Sequence, residues 1–212
     1  MSDRDSATRV LLVRHGESVD NVAGRISGWT DSVLTEVGRE QARRMARHVS
    51  SHYRPSAVYS STLRRATLTA APLADMIGTT VVIRPNLREL HFGVAEGLSL
   101  EEVRERHAPV WERAQSEDDL SFGWPGGETR AEFYDRIRRE LADIVSSHRG
   151  ETVAVVSHGG VISSLLADLL VGNPAAWRRY LLHNCALTDL SASGEVITVR
   201  EWNVTEHLHD ER

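Results

Sequence analysis

The stretch that decides the fold is Val10–Ser18, which reads VLLVRHGES. Its first four residues form a short unbroken aliphatic run, as expected of a strand that is buried on both faces. Arg14, His15 and a glycine follow at once. In α/β proteins, ligands bind beyond the carboxyl ends of parallel strands. The stretch therefore predicts a buried strand and a functional site at its end.

Further helices and strands alternate along the rest of the chain. Apolar residues at helical spacing predict a helix from about Thr35, a second ending near Gly78, a third over roughly 128–148 and a fourth that stops at Gly172. We expect Pro72 to kink the second helix or to mark a new start. The alternation implies an α/β fold with a largely parallel sheet. The predicted strands are Val10–Val13, Ala57–Tyr59, Val81–Ile83 and Val153–Val156, with a terminal hairpin of Leu187–Ala192 and Val196–Asn203.

Composition narrows the class of protein. With 212 residues, 41% of them hydrophobic and 26% charged, the chain is long enough to bury a sizeable core. We predict a single domain over residues 1–212. These values exclude a mainly disordered chain and a membrane-embedded one. The net charge of −5 offers no general platform for nucleic acid or acidic lipid.

All 25 basic residues are arginine, so the sequence holds neither a Schiff-base lysine nor a P-loop lysine. Arginine must therefore bind any phosphate, and its forked guanidinium suits that task. The one cysteine, Cys185, excludes an intrachain disulfide and a cysteine-cluster metal site, and we expect it to be a buried strand residue. Residues 1–9 lack the apolar core of a signal peptide, so we expect a cytoplasmic location.

Polar side chains follow each of the first four predicted strands. Because the carboxyl ends of parallel strands meet at one edge of a sheet, we expect these side chains to converge. Arginine binds phosphate oxygens through two parallel hydrogen bonds, histidine can be a nucleophile, and a carboxyl group can move a proton. The set therefore suits the handling of a phosphate. Its members are Arg14, His15, Arg64, Glu89 and His158.

Taken in order, the motifs of this chain resemble those of the histidine phosphatase superfamily, which includes the cofactor-dependent phosphoglycerate mutases. The resemblance covers about residues 9–208. Each motif alone is weak evidence, whereas the ordered set is highly specific. The matching segments are Arg14–Ser18, Asn21, Arg25, Ser27–Trp29, Leu34-Thr35, Gly38, Gln41-Ala42, Ser60-Ser61, Arg64–Ala66, Leu87–Gly93, Glu96-Gly97, Pro125–Glu128 and Ser157–Gly160.

The resemblance implies a three-layer α/β/α sandwich of the phosphoglycerate mutase-like type, with a cap-like insertion at about residues 90–128. It implies that His15 attacks phosphorus and carries the phosphoryl group, and that Glu89 protonates the leaving oxygen and then draws a proton from water. No metal ion and no cofactor are needed, because arginines supply the positive charge. The implied phosphate-binding residues are Arg14, Asn21, Arg64 and His158.

Three functions are compatible with the resemblance: a phosphomonoesterase, a phosphoglycerate mutase and a non-enzymatic binder of phosphorylated ligands. The binder is disfavoured because His15 and Glu89 are both present. Mutases of this type carry a lysine where this chain has Leu100, and an adjacent arginine pair that the cap lacks here. Ala95 replaces a frequent Trp of the family, and we expect this change to enlarge the pocket. We therefore predict a metal-independent phosphomonoesterase, with the mutase as the alternative.

The expected partner is a small phosphorylated metabolite, with no nucleic acid and no membrane, and a homodimer is common among such relatives. Arg65 is predicted to be a solvated helix residue or to pair with an acidic neighbour. Two interpretations stay open for the aromatic residues of the cap, which either line a substrate lid or pack a small satellite cluster. These aromatic residues are Trp111, Phe122 and Trp124.

Overall fold

The computed structural model describes residues 7–116 and 119–209, and within them every predicted strand and helix is present. The strands are β1 Thr8–Arg14, β2 Ala57–Ser60, β3 Val81–Ile83, β4 Thr152–Ser157, β5 Leu187–Ser193 and β6 Val196–Val204. The α-helices are α1 Val19–Val22, α2 Glu36–His52, α3 Arg64–Ile77, α4 Leu100–Arg106, α5 Ala108–Ala114, α6 Arg130–Ser147 and α7 Gly159–Val171. Short 3₁₀ segments are Pro85–Leu87, Gly93–Ala95, Pro174–Tyr180 and Glu206–Leu208.

The strands form one sheet in the order β3-β2-β4-β1-β5-β6. β1 pairs in parallel with β4, with Leu12 opposite Val155, and β2 pairs in parallel with both β3 and β4. The hairpin of β5 and β6 is antiparallel and extends the sheet beyond β1. The prediction of a largely parallel sheet is therefore confirmed, and the ends of β1 and β4 lie side by side.

Alternate residues of the central strands face opposite sides of the sheet. Leu12 and Val155 pack into a cluster with buried residues of α6 and α7. Leu11 and Val156 pack on the other face, against α2 and α3. This arrangement of two helical layers around the sheet confirms the predicted three-layer α/β/α sandwich.

The helix ends follow the predicted signals, with one exception inside α3. Gly78 and Gly172 both adopt the left-handed conformation at a helix C-cap. Pro72, however, lies inside α3, which continues through it, so the expected new start is wrong and the kink stays a prediction. Proline has no backbone N–H, so the carbonyl of Leu68, four residues earlier, lacks its usual helical donor. Both residues are only partly buried, so water can reach this carbonyl and the missing hydrogen bond costs less.

Cys185 is buried, as predicted, but it precedes β5 and is not part of a strand. Its φ of +55° lies in the left-handed region, which favours glycine. The Cys185 amide donates to the carbonyl of Arg14 at 3.0 Å. This contact fixes the chain that enters β5 against the end of β1.

The region predicted to be a cap-like insertion, about residues 90–128, contains α4, α5 and a small hydrophobic cluster of its own. Phe122 and Trp124 are buried in this cluster, and Trp111 packs against it. Of the two open interpretations for these aromatic residues, the satellite cluster is therefore the one that the structure bears out.

Among the described residues, no single helix has both the length and the apolar composition needed to cross a membrane. α7 and the following Pro174–Tyr180 segment meet these criteria only as a pair, and the two are bent by 106°.

Candidate active site

Two histidines lie at the carboxyl ends of the neighbouring strands β1 and β4. His15 follows β1 and His158 follows β4, and the amide of His15 donates to the carbonyl of Ser157 at 3.0 Å. The two imidazole rings are 5.2 Å apart, and both are buried. The parallel pairing of β1 with β4 therefore produces the convergence that the sequence predicted.

His15 is held as a neutral imidazole with one nitrogen free to act as a nucleophile. Its Nδ1 lies 2.8 Å from the carbonyl oxygen of Gly16, which can only accept, so Nδ1 carries the proton. Burial, with the nearby positive charges of Arg65 and Arg14, holds the pKa of His15 well below its usual value. Nε2 is therefore unprotonated at neutral pH.

Two arginines line the cavity beside His15, and they are Arg14 and Arg65. Arg65 donates from Nη1 to the carbonyl of Thr30 at 2.9 Å and from Nη2 to that of Gly28 at 2.6 Å. Arg14 donates from Nη1 to the carbonyl of Leu182. The Nε atoms of both arginines are buried without a hydrogen-bond partner. Two unpartnered N–H donors next to a nucleophile are what an anion site requires.

Arg65, not Arg64, is the second arginine of this site, and the prediction of Arg64 is corrected here. The Arg64 residue is exposed and does not line the cavity, and its backbone amide donates to Asp31 Oδ1 at 2.8 Å. Arg65 is only 1% exposed. Successive residues of a helix are rotated by about 100°, so at the start of α3 only one of the pair faces the sheet edge.

His158 is fully buried within 5.2 Å of His15, and its Nε2 lies 2.7 Å from the hydroxyl oxygen of Ser61. Its Nδ1 is buried without a partner. Burial and the charge of Arg65 hold the pKa of His158 well below its usual value. His158 does not itself line the cavity, so its direct contact with phosphate stays a prediction.

Asn21 lines the cavity from α1, and its orientation is fixed. Its Oδ1 accepts from the amide of Ser18 at 3.1 Å and from Asn184 Nδ2 at 3.1 Å. The Nδ2 group is therefore the one that Asn21 offers to a ligand. Asn184 also donates to the carbonyl of His15 at 3.0 Å. Sequence reasoning missed Asn184, because it lies 169 residues from His15 and matches no motif.

Glu89 lines the same cavity, and both of its carboxylate oxygens accept backbone hydrogen bonds. Oε1 accepts from the amide of Leu90 at 2.9 Å, and Oε2 accepts from the amide of Gly160 at 2.9 Å. The Glu89 carbonyl accepts from Arg136 Nη2 and from Trp29 Nε1, both at 2.7 Å. Four hydrogen bonds, two to the carboxylate and two to the backbone carbonyl, thus fix the position of Glu89. The sequence did not predict the contributions of Arg136 and Trp29.

One cavity of about 390 Å³ is lined by Arg14, His15, Asn21, Arg65 and Glu89, and large apolar side chains line it as well. Ala95 is not among the lining residues and is fully buried in the cap cluster. The expected enlargement of the pocket at Ala95 is therefore wrong, because this position faces the cap interior.

Comparisons with known proteins agree with this geometry. The model of the histidine phosphatase superfamily (branch 1) matches residues 10–205. The chain is 35% identical to a metal-independent phosphoserine phosphatase of Arabidopsis thaliana over 95% of this chain and 83% of the relative. It is 37% identical to a probable phosphoglycerate mutase, GpmB, of Yersinia enterocolitica over 85% of this chain and 83% of the relative. The structure of a phosphoserine phosphatase from Entamoeba histolytica, in complex with 3-phosphoglyceric acid, superposes with a TM-score of 0.84 at 28% identity, covering 95% of this chain and 100% of the other.

Proposed function

The chain belongs to the histidine phosphatase superfamily (branch 1), and we propose that it is a metal-independent phosphomonoesterase that hydrolyses a small phosphorylated metabolite through a phosphohistidine intermediate. One observation carries the proposal. Neutral His15, Glu89 and two arginines whose Nε atoms have no hydrogen-bond partner, Arg14 and Arg65, all line one cavity. Nucleophile, anion-binding groups and proton carrier are the parts that this reaction needs.

In the first step, His15 Nε2 attacks phosphorus in line, an N–P bond forms and the P–O ester bond breaks. Glu89 in its protonated form gives its proton to the leaving oxygen, and the alcohol departs. In the second step, water attacks the phosphohistidine while Glu89 takes up the proton that the water loses. The N–P bond breaks, and inorganic phosphate and free His15 result.

Arg14 and Arg65 stabilise the charge of the phosphoryl oxygens in both steps. Preorganised donors of this kind are each worth about 2.7–4 kcal/mol when removed from comparable anion sites. The desolvation that lowers the pKa of Arg65 also strengthens its attraction to an anion, because the local dielectric constant is low. Two guanidinium groups thereby supply the positive charge that a metal ion supplies in other phosphatases.

A phosphoglycerate mutase is the second candidate, since one of the relatives carries that name. A mutase must hold the carboxylate of its substrate and keep water from the phosphohistidine. The lysine that would help in the family's mutases is absent from this chain, where Leu100 is 56% exposed. Hydrolysis is therefore the better-supported outcome.

The test is to trap the intermediate. Brief incubation with p-nitrophenyl phosphate and quenching in base should leave acid-labile phosphate on the wild type and none on His15→Ala. The matched control is His183→Ala, because His183 is an exposed histidine outside the cavity lining. EDTA should leave turnover unchanged. Normal turnover by His15→Ala would contradict the mechanism, and a chelator-sensitive rate restored by a divalent cation would contradict metal independence.

Location and partners complete the proposal. A cytoplasmic enzyme is supported by the single free thiol, Cys185, since free thiols persist in reducing compartments. The proposed partner is a small phosphorylated metabolite, with neither nucleic acid nor membrane, and a homodimer is an assembly to be tested. Cell fractionation and the mass measured in solution by light scattering check these two points.

A further inference from the structure

Large apolar side chains line the cavity beside the phosphate-binding residues, and we propose that they select phosphomonoesters of bulky apolar alcohols over esters of small charged alcohols. The inference rests on the phosphatase function proposed above. The surface concerned, called here the apolar wall, consists of Phe92, Leu120, Phe133, Trp177 and Leu181.

The apolar wall is assembled from three separate parts of the chain. Phe92 and Leu120 come from the region between β3 and α6, Phe133 comes from the start of α6, and the other two come from the segment after α7. Leu120 is 38% exposed and Leu181 is 62% exposed. Single exposed leucines are ordinary on a surface, but these two share a concave site with aromatic residues, which is typical of an apolar ligand site.

The charged groups of the outer cavity are already engaged. Apart from Arg14 and Arg65, the described arginines in the lining are Arg25 and Arg130. Arg130 donates from Nη1 to the carbonyl of Ser116 and from Nη2 to that of Ala114 at 2.6 Å. Its fork is therefore occupied by the protein itself, so it cannot bind a substrate carboxylate in the bidentate manner.

Arg25 is engaged through one of its terminal nitrogens, Nη1. Its Nη1 donates to the carbonyl of Gly97 and lies 3.4 Å from a carboxylate oxygen of Glu102. A substrate carboxylate at this place would compete with Glu102 and lose its own hydration. Tyr134 also lines the cavity, but its hydroxyl is hydrogen-bonded to Asp168.

The size of the cavity agrees with a bulky ligand. Its volume of about 390 Å³ falls within the range of roughly 300–1,000 Å³ that accommodates drug-sized molecules. A phosphate on a three-carbon alcohol covers less of the apolar wall than a phosphate on a larger group. A longer alkyl or aromatic group covers the wall and removes it from water.

The test is a series of n-alkyl phosphates from ethyl to octyl. The leaving-group pKa is nearly constant along this series, so a change in kcat/KM reports binding to the cavity. Each methylene buried is worth about fourfold in affinity, and we expect kcat/KM to rise by about that factor per carbon until the wall is covered. Phosphoserine and 3-phosphoglycerate should be much poorer substrates than hexyl phosphate.

Leu181→Ser tests the wall without disturbing the core, since Leu181 is mostly exposed. We expect this variant to lower the ratio of the kcat/KM values for hexyl and ethyl phosphate severalfold. The matched control is Leu170→Ser, because Leu170 is 45% exposed on α7 and does not line the cavity. That control should keep the wild-type ratio.

The possible outcomes separate this inference from the function on which it rests. Hydrolysis of p-nitrophenyl phosphate with a flat or falling dependence on alkyl chain length would overturn the apolar wall and leave the phosphatase intact. A preference for phosphoserine or 3-phosphoglycerate over hexyl phosphate would do the same. Failure to hydrolyse any of these esters would overturn both.

Discussion

The amide of Gly160 donates to Glu89 Oε2 at 2.9 Å, and a Cβ atom on Gly160 would overlap Glu89 Oε1. Glycine at this position thus allows the start of α7 to approach the carboxylate closely. The contact joins the chain after β4 to the chain after β3, so the proton carrier is fixed by an element 71 residues away.

Gly160→Ala is expected to displace the Glu89 carboxylate. General acid catalysis contributes about 10²–10⁴ in rate, so alkyl phosphates should lose one to two orders of magnitude in kcat. Aryl phosphates should lose far less, because their leaving oxygen needs little protonation. Steady-state kinetics on hexyl and p-nitrophenyl phosphate measure the difference.

Stability provides the control for this variant. Alanine favours a helix interior over glycine by about 1 kcal/mol, which offsets part of the cost of the displaced carboxylate, so Tm should change little. Gly159→Ala places its Cβ at an ordinary 3.5 Å from Arg14 Nε, so it should affect alkyl and aryl esters to the same extent. Equal losses on the alkyl and aryl esters would contradict a role of Gly160 in positioning the acid.

The adjacent arginines at the start of α3 offer a second matched pair. Arg65→Ala should lower kcat/KM by about 10²–10³, as for other anion-stabilising donors, whereas Arg64→Ala should leave it nearly unchanged. Thermal melting of both variants, and of Arg65→Lys, separates catalysis from folding, since Arg65 also donates to Gly28 and Thr30. A larger loss in Arg64→Ala would reinstate the original assignment.

His207 should make stability depend on pH. Its Nε2 donates to the carbonyl of Cys185 at 3.0 Å, and Nδ1 is buried without a partner. Burial lowers the pKa of His207 to about 4 from 6.5, and His48 and His209 act in the same direction, whereas the hydrogen bond to the Cys185 carbonyl and the charge of Glu206 oppose it. The unfolded chain therefore binds the proton first, and stability is lost as pH falls from about 6.5 towards 4.

The measurement is urea unfolding at pH 7.5 and pH 5.0. Between these two pH values, the free energy of unfolding of the wild type should fall by about 1 kcal/mol more than that of His207→Gln. This value is discounted for the partial exposure of the ring. Glutamine keeps the donor to Cys185 but cannot be protonated in this range. His15 and His158 titrate in both proteins, so the difference isolates His207. An identical loss in both would show that His207 does not contribute.

Hydrolysis should outrun phosphoryl transfer between the hydroxyls of phosphoglycerate. The assay supplies 3-phosphoglycerate with a catalytic amount of 2,3-bisphosphoglycerate and follows both 2-phosphoglycerate and free phosphate. We expect phosphate release to exceed isomerisation, because the outer arginines are engaged with the protein and no lysine is present. Rapid isomerisation with little phosphate release would favour the mutase.

The fold was predictable because its signals are local. Strands buried on both faces are mostly aliphatic, and the short runs Val10–Val13 and Val153–Val156 have that composition. The continuous helix at Pro72 and the non-strand position of Cys185 departed from expectation, because neither solvent access nor tertiary contacts can be read from a local pattern. Solvent access near Pro72 reduces the penalty for its missing hydrogen bond, and the amide contact to the end of β1 holds Cys185 in the left-handed region.

The site was predictable where strand ends place the residues, as for His15, Arg14 and Glu89. The choice between Arg64 and Arg65 was not predictable. The apolar residues of α3 define the buried face of the helix, and Arg65 lies at the edge of that face. Thr69, one turn later, is a polar residue of the same buried face. Its hydroxyl donates to the Arg65 carbonyl at 2.7 Å and accepts from the amide of Gly16 at 2.9 Å. No hydrophobic pattern predicts the burial of a polar residue of this kind.

Most of the apolar wall lies in stretches of the chain that carry no phosphate-handling residue, and this division has an evolutionary consequence. Mutations in residues 119–122 and 174–181 can change the alcohol that is accepted without altering the groups around phosphorus. A lineage of such proteins can therefore acquire new substrates through mutations in these short segments, while the mechanism of phosphoryl transfer is kept. Directed evolution confined to these two segments is expected to yield catalysts of altered scope more often than random mutagenesis of the whole gene.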